Sequence, residues 1–338
     1  MTKKPAKSKT NGKPAAAKTP PPAPTTRTPT EQTLRELQKA IEGKSFTNPA
    51  EASAFLQTLL GSGAMESLLD DVPLSLKDEA QELAFDAMEA DNDAQAMQLA
   101  KRALRKDPDC VDALVVLAEI ESDSPKKLIA SLQKAVAAGE RSLGAKFIAD
   151  NKGDFWSIIE TRPYMRALAQ LAGLLRAQGI NLDAIRHYEN MLALNPNNNQ
   201  GVRDPLLGLY LATDNLESAQ KLLRRYENDS MANFAWGRVL ERFLADDQPG
   251  ASAALTKARK ANRFVERYLS GKKGPPKHLP EMYSMGSEEE AILCVDNLAA
   301  AWVAHENAVF WLHGQIERES VPTKKAPAVR TRKKPGAK

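Results

Sequence analysis

Apolar residues recur along this chain at intervals of three and four rather than two, the spacing that places them on one face of a helix. Leu34, Leu37 and Ile41 form the first such stripe, with Thr30 placed to cap it. A second short helix is predicted over residues 49–60, ended by Gly61-Ser62-Gly63. From about Leu76 onward one helical pattern follows another, and no run of alternating β-branched or aromatic residues signals a strand. The expected class is all-α.

The helical segments repeat. A tetratricopeptide unit is a helix–turn–helix of about 34 residues, with small residues where its two helices approach and a proline ending the second. A unit starting at Met165 supplies Leu168, Leu171, Ala172, Leu175, Ala184, Tyr188, Met191 and Pro196, nearly the whole pattern. Further units start at Lys77, Val111, Gln200 and Ala232, so successive starts are 34, 54, 35 and 32 residues apart. Three similar intervals argue for a repeat, and the long one for an insertion. In the Val111 unit, Ala130 and Ala137 are the small residues expected at the helix contact. The prediction is a tetratricopeptide-type helical repeat solenoid. It has N-terminal helices over 31–74, two units over 75–142, an insertion over 143–164, three units over 165–264 and capping helices over 265–318. Ser287 and Glu290 are expected to form a capping box at the start of the penultimate helix.

Charge divides the chain. Its 338 residues carry 47 basic and 43 acidic side chains, a net +4. Residues 1–30 and 321–338 each hold seven of the basic residues and no acid, together with ten of the 21 prolines, so the 290 residues between carry −10. The ends read as disordered basic tails, 1–30 and 319–338. The acidic middle excludes a basic nucleic-acid-binding fold. Flexible Lys and Arg neutralise phosphate without base readout, so the tails either bind nucleic acid weakly and non-specifically or act only as solubilising extensions. No apolar stretch follows the basic N-terminus, and none approaches the roughly 18–20 residues of a spanning helix. A soluble cytoplasmic protein without a membrane partner is expected.

The search for chemistry returns little. The four histidines, His187, His278, His305 and His313, form no HExxH and no i, i+4 pair. Cys110 and Cys294 stand alone, as buried reduced thiols do. The stretch Ser270-Gly271-Lys272-Lys273-Gly274 lacks the spacer and the Ser/Thr of a phosphate loop. Asp91-Asn92-Asp93 reads as an inter-helix turn rather than a calcium loop. No enzyme, cofactor or metal site is predicted.

Binding is the remaining expectation. In such a solenoid the first helix of each unit lines the concave face. Arg166 and Arg176 then stand at one end, Gly173 and Gly208 leave room in the middle, and Asp204, Asn233, Trp236 and Phe243 continue to the other end. Arginines hold carboxylates bidentately and aromatics make anchor pockets, so this groove is expected to take an extended or helical segment of a partner protein. The competing reading packs Trp236 and Phe243 against the C-terminal helices. The Lys/Asn/Arg clamp of chaperone-tail grooves is missing, since Ala169 and Gly173 occupy its positions.

Two stretches, Phe155 to Ala167 (FWSIIETRPYMRA) and His187 to Arg203 (HYENMLALNPNNNQGVR), resemble motifs of the suppression of tumorigenicity 7 family and its soluble bacterial tetratricopeptide relatives. Weaker likenesses lie at Lys260-Ala261-Asn262, around Gly286 to Ala291, and at Val309 to Leu312, so the resemblance covers about residues 75–313. It implies a helical repeat protein and supplies no biochemical activity. The polar residues of the motifs are Glu160, Arg162, Tyr164, His187, Asn195, Asn199, Gln200 and Arg203. Two roles stand open for them. They lock the insertion and close helix ends, or their arginines meet an anionic ligand.

Overall fold

The computed structural model describes residues 28–41, 44–62 and 74–320. The basic tails lie outside them, except that the chain is already helical at Thr28 and stays helical through Ser320. Among the described residues there are sixteen α-helices, two 3₁₀ turns and no strand. After α1 (Thr28–Ile41) and α2 (Pro49–Ser62), helices that are neighbours in sequence pack together. The pairs are α3 (Leu76–Met88) with α4 (Asp93–Lys106), and α5 (Val111–Glu121) with α6 (Pro125–Leu143). Three more follow: α8 (Arg162–Ala177) with α9 (Asn181–Leu194), α10 (Arg203–Ala212) with α11 (Leu216–Arg225), and α12 (Ala232–Leu244) with α13 (Gln248–Ala261). Between the second and third pairs lie α7 (Ala145–Asp150) and the 3₁₀ turns Phe155–Ser157 and Ile159–Thr161. The chain then runs through α14 (Val265–Leu269), a long loop, α15 (Glu288–Ala304) and α16 (Glu306–Ser320).

The last three pairs share one turn. Gly179, Asp214 and Asp246 all have left-handed backbone, with φ of 72°, 57° and 57°. Each stands fourteen residues after its unit's start at Met165, Gln200 or Ala232. The next amide donates back to a carbonyl five residues earlier, from Ile180 to Leu175 (2.9 Å), Asn215 to Tyr210 (2.9 Å) and Asp247 to Arg242 (3.0 Å). That bond satisfies an otherwise orphaned carbonyl at the end of the first helix. Repetition is therefore written in the backbone as well as in the sequence.

Side-chain caps start several of the helices. Ser75 and Asp78 form a full capping box on α3, and Asn92, Ser124, Asn215 and Asp247 cap α4, α6, α11 and α13. Three expectations need correction. Thr30 lies inside α1 and does not cap it, because the helix starts two residues earlier. α2 continues through Gly61 to Ser62. In the second pair Ala130 is exposed and Ala137 only half-buried, while Ala135, Ala138 and Gly139 are buried. The cause is Pro125 at the first turn of α6 behind its Ser124 cap. It starts that helix two residues earlier in the unit than α9, α11 or α13 and turns its small face accordingly.

Two cores result. Alanines dominate the first, between α3, α4 and the start of α5, where Ala80, Ala84, Ala100, Ala103 and Ala113 are fully buried. The second runs from α5 to α16 and is built on Leu, Met and aromatic side chains.

Candidate functional site: the expected groove

Helices of the same chain cover residues at both ends of the expected groove. At the first end Arg166 on α8 is enclosed by two carboxylates. Asp112 of α5 accepts from Nε (3.1 Å) and Nη2 (2.6 Å), and Glu31 of α1 accepts from Nη1 (2.6 Å) and Nη2 (3.3 Å). Gln81 of α3 donates to the same Asp112 at 2.7 Å. Burial disfavours the Arg166 charge, but Asp112 and Glu31 more than offset it, and its pKa is raised. Arg166 is thus the hub of four helices.

At the other end α15 lies along the surface, packed on α10 and α12. Arg176 of α8 donates to the Asp296 carbonyl (3.0 Å) and to its carboxylate (2.7 Å). Gly208 of α10 faces the α15 backbone so closely that a Cβ there would sit 3.0 Å from the carbonyl carbon of Asn297. The buried stripe of α15 is Ala291, Cys294, Val295, Leu298, Ala301 and Trp302. His305, after α15, bonds through Nε2 to the Leu211 carbonyl in the last turn of α10 (2.8 Å). Phe243 meets Trp311 of α16 at 5.5 Å between ring centroids. Trp236 is fully buried, and its indole donates to the Asn262 carbonyl at 3.1 Å. Arg176 and Phe243 therefore face the chain's own C-terminal helices, and Trp236 is buried against the end of α13.

A polar knot fastens the start of α15. Glu290 accepts from the amides of Ala232 (3.0 Å) and Gly286 (2.6 Å) and from Asn262 Nδ2 (2.9 Å). Asn262 Nδ2 also reaches the Ser287 carbonyl at 2.7 Å, and its Oδ1 accepts from the Phe264 amide at 2.9 Å. Ser287 caps the helix as expected, accepting from the Glu290 amide at 3.2 Å. Glu290 does not close a capping box on Ser287; it binds α12 and the preceding glycine instead. Beside it, Asn233 donates to the Asp204 carbonyl at 3.3 Å. Burial pushes the Asp204 carboxyl up to about 7; Arg203 opposes the shift, and Asp229 and Glu290 add to it.

The motif residues separate into those with structural work and those at the surface. Arg203 lies 4.7 Å from the Tyr226 ring centroid and 5.2 Å from that of Phe234, and is ion-paired to Asp229. Arg162 sits 5.3 Å from the Trp156 ring centroid and donates to the Trp156 carbonyl at 3.3 Å, closing the 3₁₀ turns on themselves. Tyr164 is buried with its hydroxyl on Glu140 at 3.3 Å, and burial raises its pKa to about 12. Gln200 donates to the Met165 carbonyl at 3.1 Å, tying the third unit to the fourth. Glu160 is exposed and accepts from Gln38 of α1 at 2.6 Å. His187 is half-buried, and burial lowers its pKa. Asn195 is buried at the end of α9 and Asn199 is exposed. The asparagine side chain that bonds a helix-start amide here is Asn198, whose Oδ1 accepts from the Arg203 amide at 3.0 Å. These motif residues are spread over several joints of the array and do not converge on one pocket.

Sequence reasoning missed Glu31, Asp112 and Asp296, and touched Asn262 only through a weak family likeness. Each is a polar residue whose importance comes from a partner far along the chain, and only Asp112, interrupting the apolar run of α5, carried a local sign. The cysteines are inert: burial pushes the Cys110 thiol up to about 12 and raises Cys294 well above its ordinary value. Among the described residues no group of three or more His, Cys, Asp or Glu is placed to hold a metal, and no helix is long and apolar enough to cross a membrane. Compared with known families and curated proteins, the chain matches no family model and no curated protein.

Proposed function

We propose that this chain is a tetratricopeptide-type solenoid acting as a non-catalytic protein-interaction scaffold, which takes a partner segment along its concave face. The observation that carries the reading is α15 itself. A helix of this chain lies along the very positions at which such solenoids hold ligands, with Gly208 giving it close approach and Arg176 holding its Asp296. The surface therefore has the relief and chemistry to hold a helix. The stretch between the α1 and α15 contacts carries Ala169 and Gly173, small side chains that admit another backbone, and exposed Ala177 lies just past Arg176. Kinship with the suppression of tumorigenicity 7 family belongs to the same proposal and rests on the motif residues alone.

Site-specific photo-crosslinking tests it. A crosslinking residue at exposed Ala177, on the first helix of its unit, is expected to capture a discrete partner in cells. The same residue at exposed Lys221, on the second helix of its unit, is expected to capture none. Equal labelling from both positions, or none from either, refutes the proposal.

A further inference from the structure

The Arg166 end of the concave face has an occupant that fits it poorly. α1 docks through its polar face. Glu31 meets Arg166, Arg35 lies 5.8 Å from the Phe85 ring centroid, Lys39 reaches Asp78 at 3.4 Å, and Gln38 reaches Glu160. At 3.6 residues per turn, Glu31, Arg35 and Lys39 share one face, and the stripe of Leu34, Leu37 and Ile41 points about 130° away from it. Among the described residues those three apolar side chains join neither core. Among the described residues α1 is held by ion pairs, hydrogen bonds and the Arg35–Phe85 contact, while Leu34, Leu37 and Ile41 are half-buried.

The fit is also incomplete. Between α1 and the first two helix pairs lies a cleft of about 400 Å³, lined by residues including Arg35, Gln81, Cys110, Gly139 and Tyr164. The Arg35 Nε is buried and donates no hydrogen bond, although Glu31 stands 3.7 Å away. Buried donors are ordinarily satisfied. By contrast α15, on the same surface, buries a full apolar stripe. Without α1, Asp112 still occupies two of the Arg166 donors, and the others face outward and are matched to one more carboxylate.

We infer that the Arg166–Asp112 seat is a docking site for a helix of a partner protein. That helix presents a glutamate and, four residues on, an arginine or lysine, and α1 is its exchangeable in-chain stand-in. The inference rests on the scaffold reading and names the end of the groove and the partner chemistry. The glutamate completes the bidentate pairing of Arg166, the basic residue lies over Phe85, and a bulkier side chain between them fills the cleft.

The probe is a fluorescein-labelled peptide of residues 28–41, titrated into the full-length chain and followed by anisotropy. Against wild type, α1 competes in cis and binding is weak. A Glu31→Lys chain sets a lysine against Arg166 and frees the seat, so the peptide is expected to bind it at least tenfold more tightly. A peptide carrying Glu31→Gln loses most of that gain, and raising salt from 50 to 500 mM weakens the wild-type peptide at least tenfold. Lys39→Glu, remote from the buried pair, serves if Glu31→Lys does not fold, with a gain of at least threefold. Equal affinity for wild-type and variant chains, or for both peptides, overturns the inference. That failure would leave the crosslinking result at Ala177 untouched, so the two proposals fall separately.

Discussion

Replacing Gly208 with alanine tests the seating of α15 directly. A Cβ at that position falls within contact of the Asn297 backbone, with the carbonyl carbon at 3.0 Å and the Cα at 3.8 Å. The Asn297 carbonyl oxygen lies nearer still, and backbone cannot swing aside as a side-chain tip can, so α15 must retreat by roughly 1.5 Å to restore ordinary separations of about 3.5 Å. A gap of that size forfeits about half or more of the attraction between the facing surfaces. Four of the buried side chains of α15 are Cys294, Leu298, Ala301 and Trp302, and they pack into the surfaces that a retreat would open. With about 1.5–3 kcal/mol for burying each larger one, the loss comes to about 3 kcal/mol. Alanine returns up to about 1 kcal/mol through helix propensity. The net expectation is a destabilisation of about 2 kcal/mol, or about 4–8 °C in melting temperature for a core of this size. Thermal melts followed by circular dichroism read it, with Gly314→Ala on α16 as control, since nothing lies within 4 Å of a Cβ there. A Gly208→Ala chain that melts within 1 °C of wild type would refute the close seating of α15 on α10.

Other expectations follow from the same contacts. Arg166→Ala leaves Asp112 buried without its counter-ion and should cost about 3–5 kcal/mol in urea denaturation, much of it recovered by adding Asp112→Asn. Asp204 keeps its proton in the folded chain up to about pH 7 and loses it near 3.9 when unfolded, so its contribution is full below pH 4 and is lost as pH rises to about 7. The stability difference between Asp204→Asn and wild type should therefore grow in favour of the variant across that window and level off above it; a difference flat from pH 4 to 8 sinks the assignment. At the shared turn, Asp246→Gly should stabilise by up to about 1 kcal/mol and Gly179→Ala destabilise by about 1–2 kcal/mol, because a side chain is strained at positive φ. Paired chemical denaturation checks both signs.

The repeat was legible because its signal is local. Leu168, Leu171, Ala172 and Leu175 mark the inner face of α8 without reference to anything distant, and all four are buried. The expected groove positions came from the same spacing. The sequence allows the C-terminal helices as a cover for Phe243, but the partners of Arg176 and Arg166, Asp296 and Glu31, lie more than a hundred residues away, and no spacing rule spans that distance. Gly173 and Gly208 read as room for a ligand; Gly208 is room for α15, and the two meanings look alike in a sequence. The stripe on α15 announced that something must cover it but not what. Three consecutive asparagines, Asn197 to Asn199, differ only by backbone rotation, so the one that bonds the Arg203 amide emerges only in three dimensions.

The position of α15 in the chain also sets an order of events during synthesis. When the last residue of α12 leaves the ribosome, sixty more must be joined before α15 ends at Ala304. At about 5–20 residues per second that is a wait of about 3–12 seconds. Throughout it, the face of α10 and α12 that α15 will cover stands open to water, Gly208 included. The nascent chain therefore passes through a stage in which its groove is complete in shape and empty, a window in which chaperones, or a partner in waiting, can reach it first.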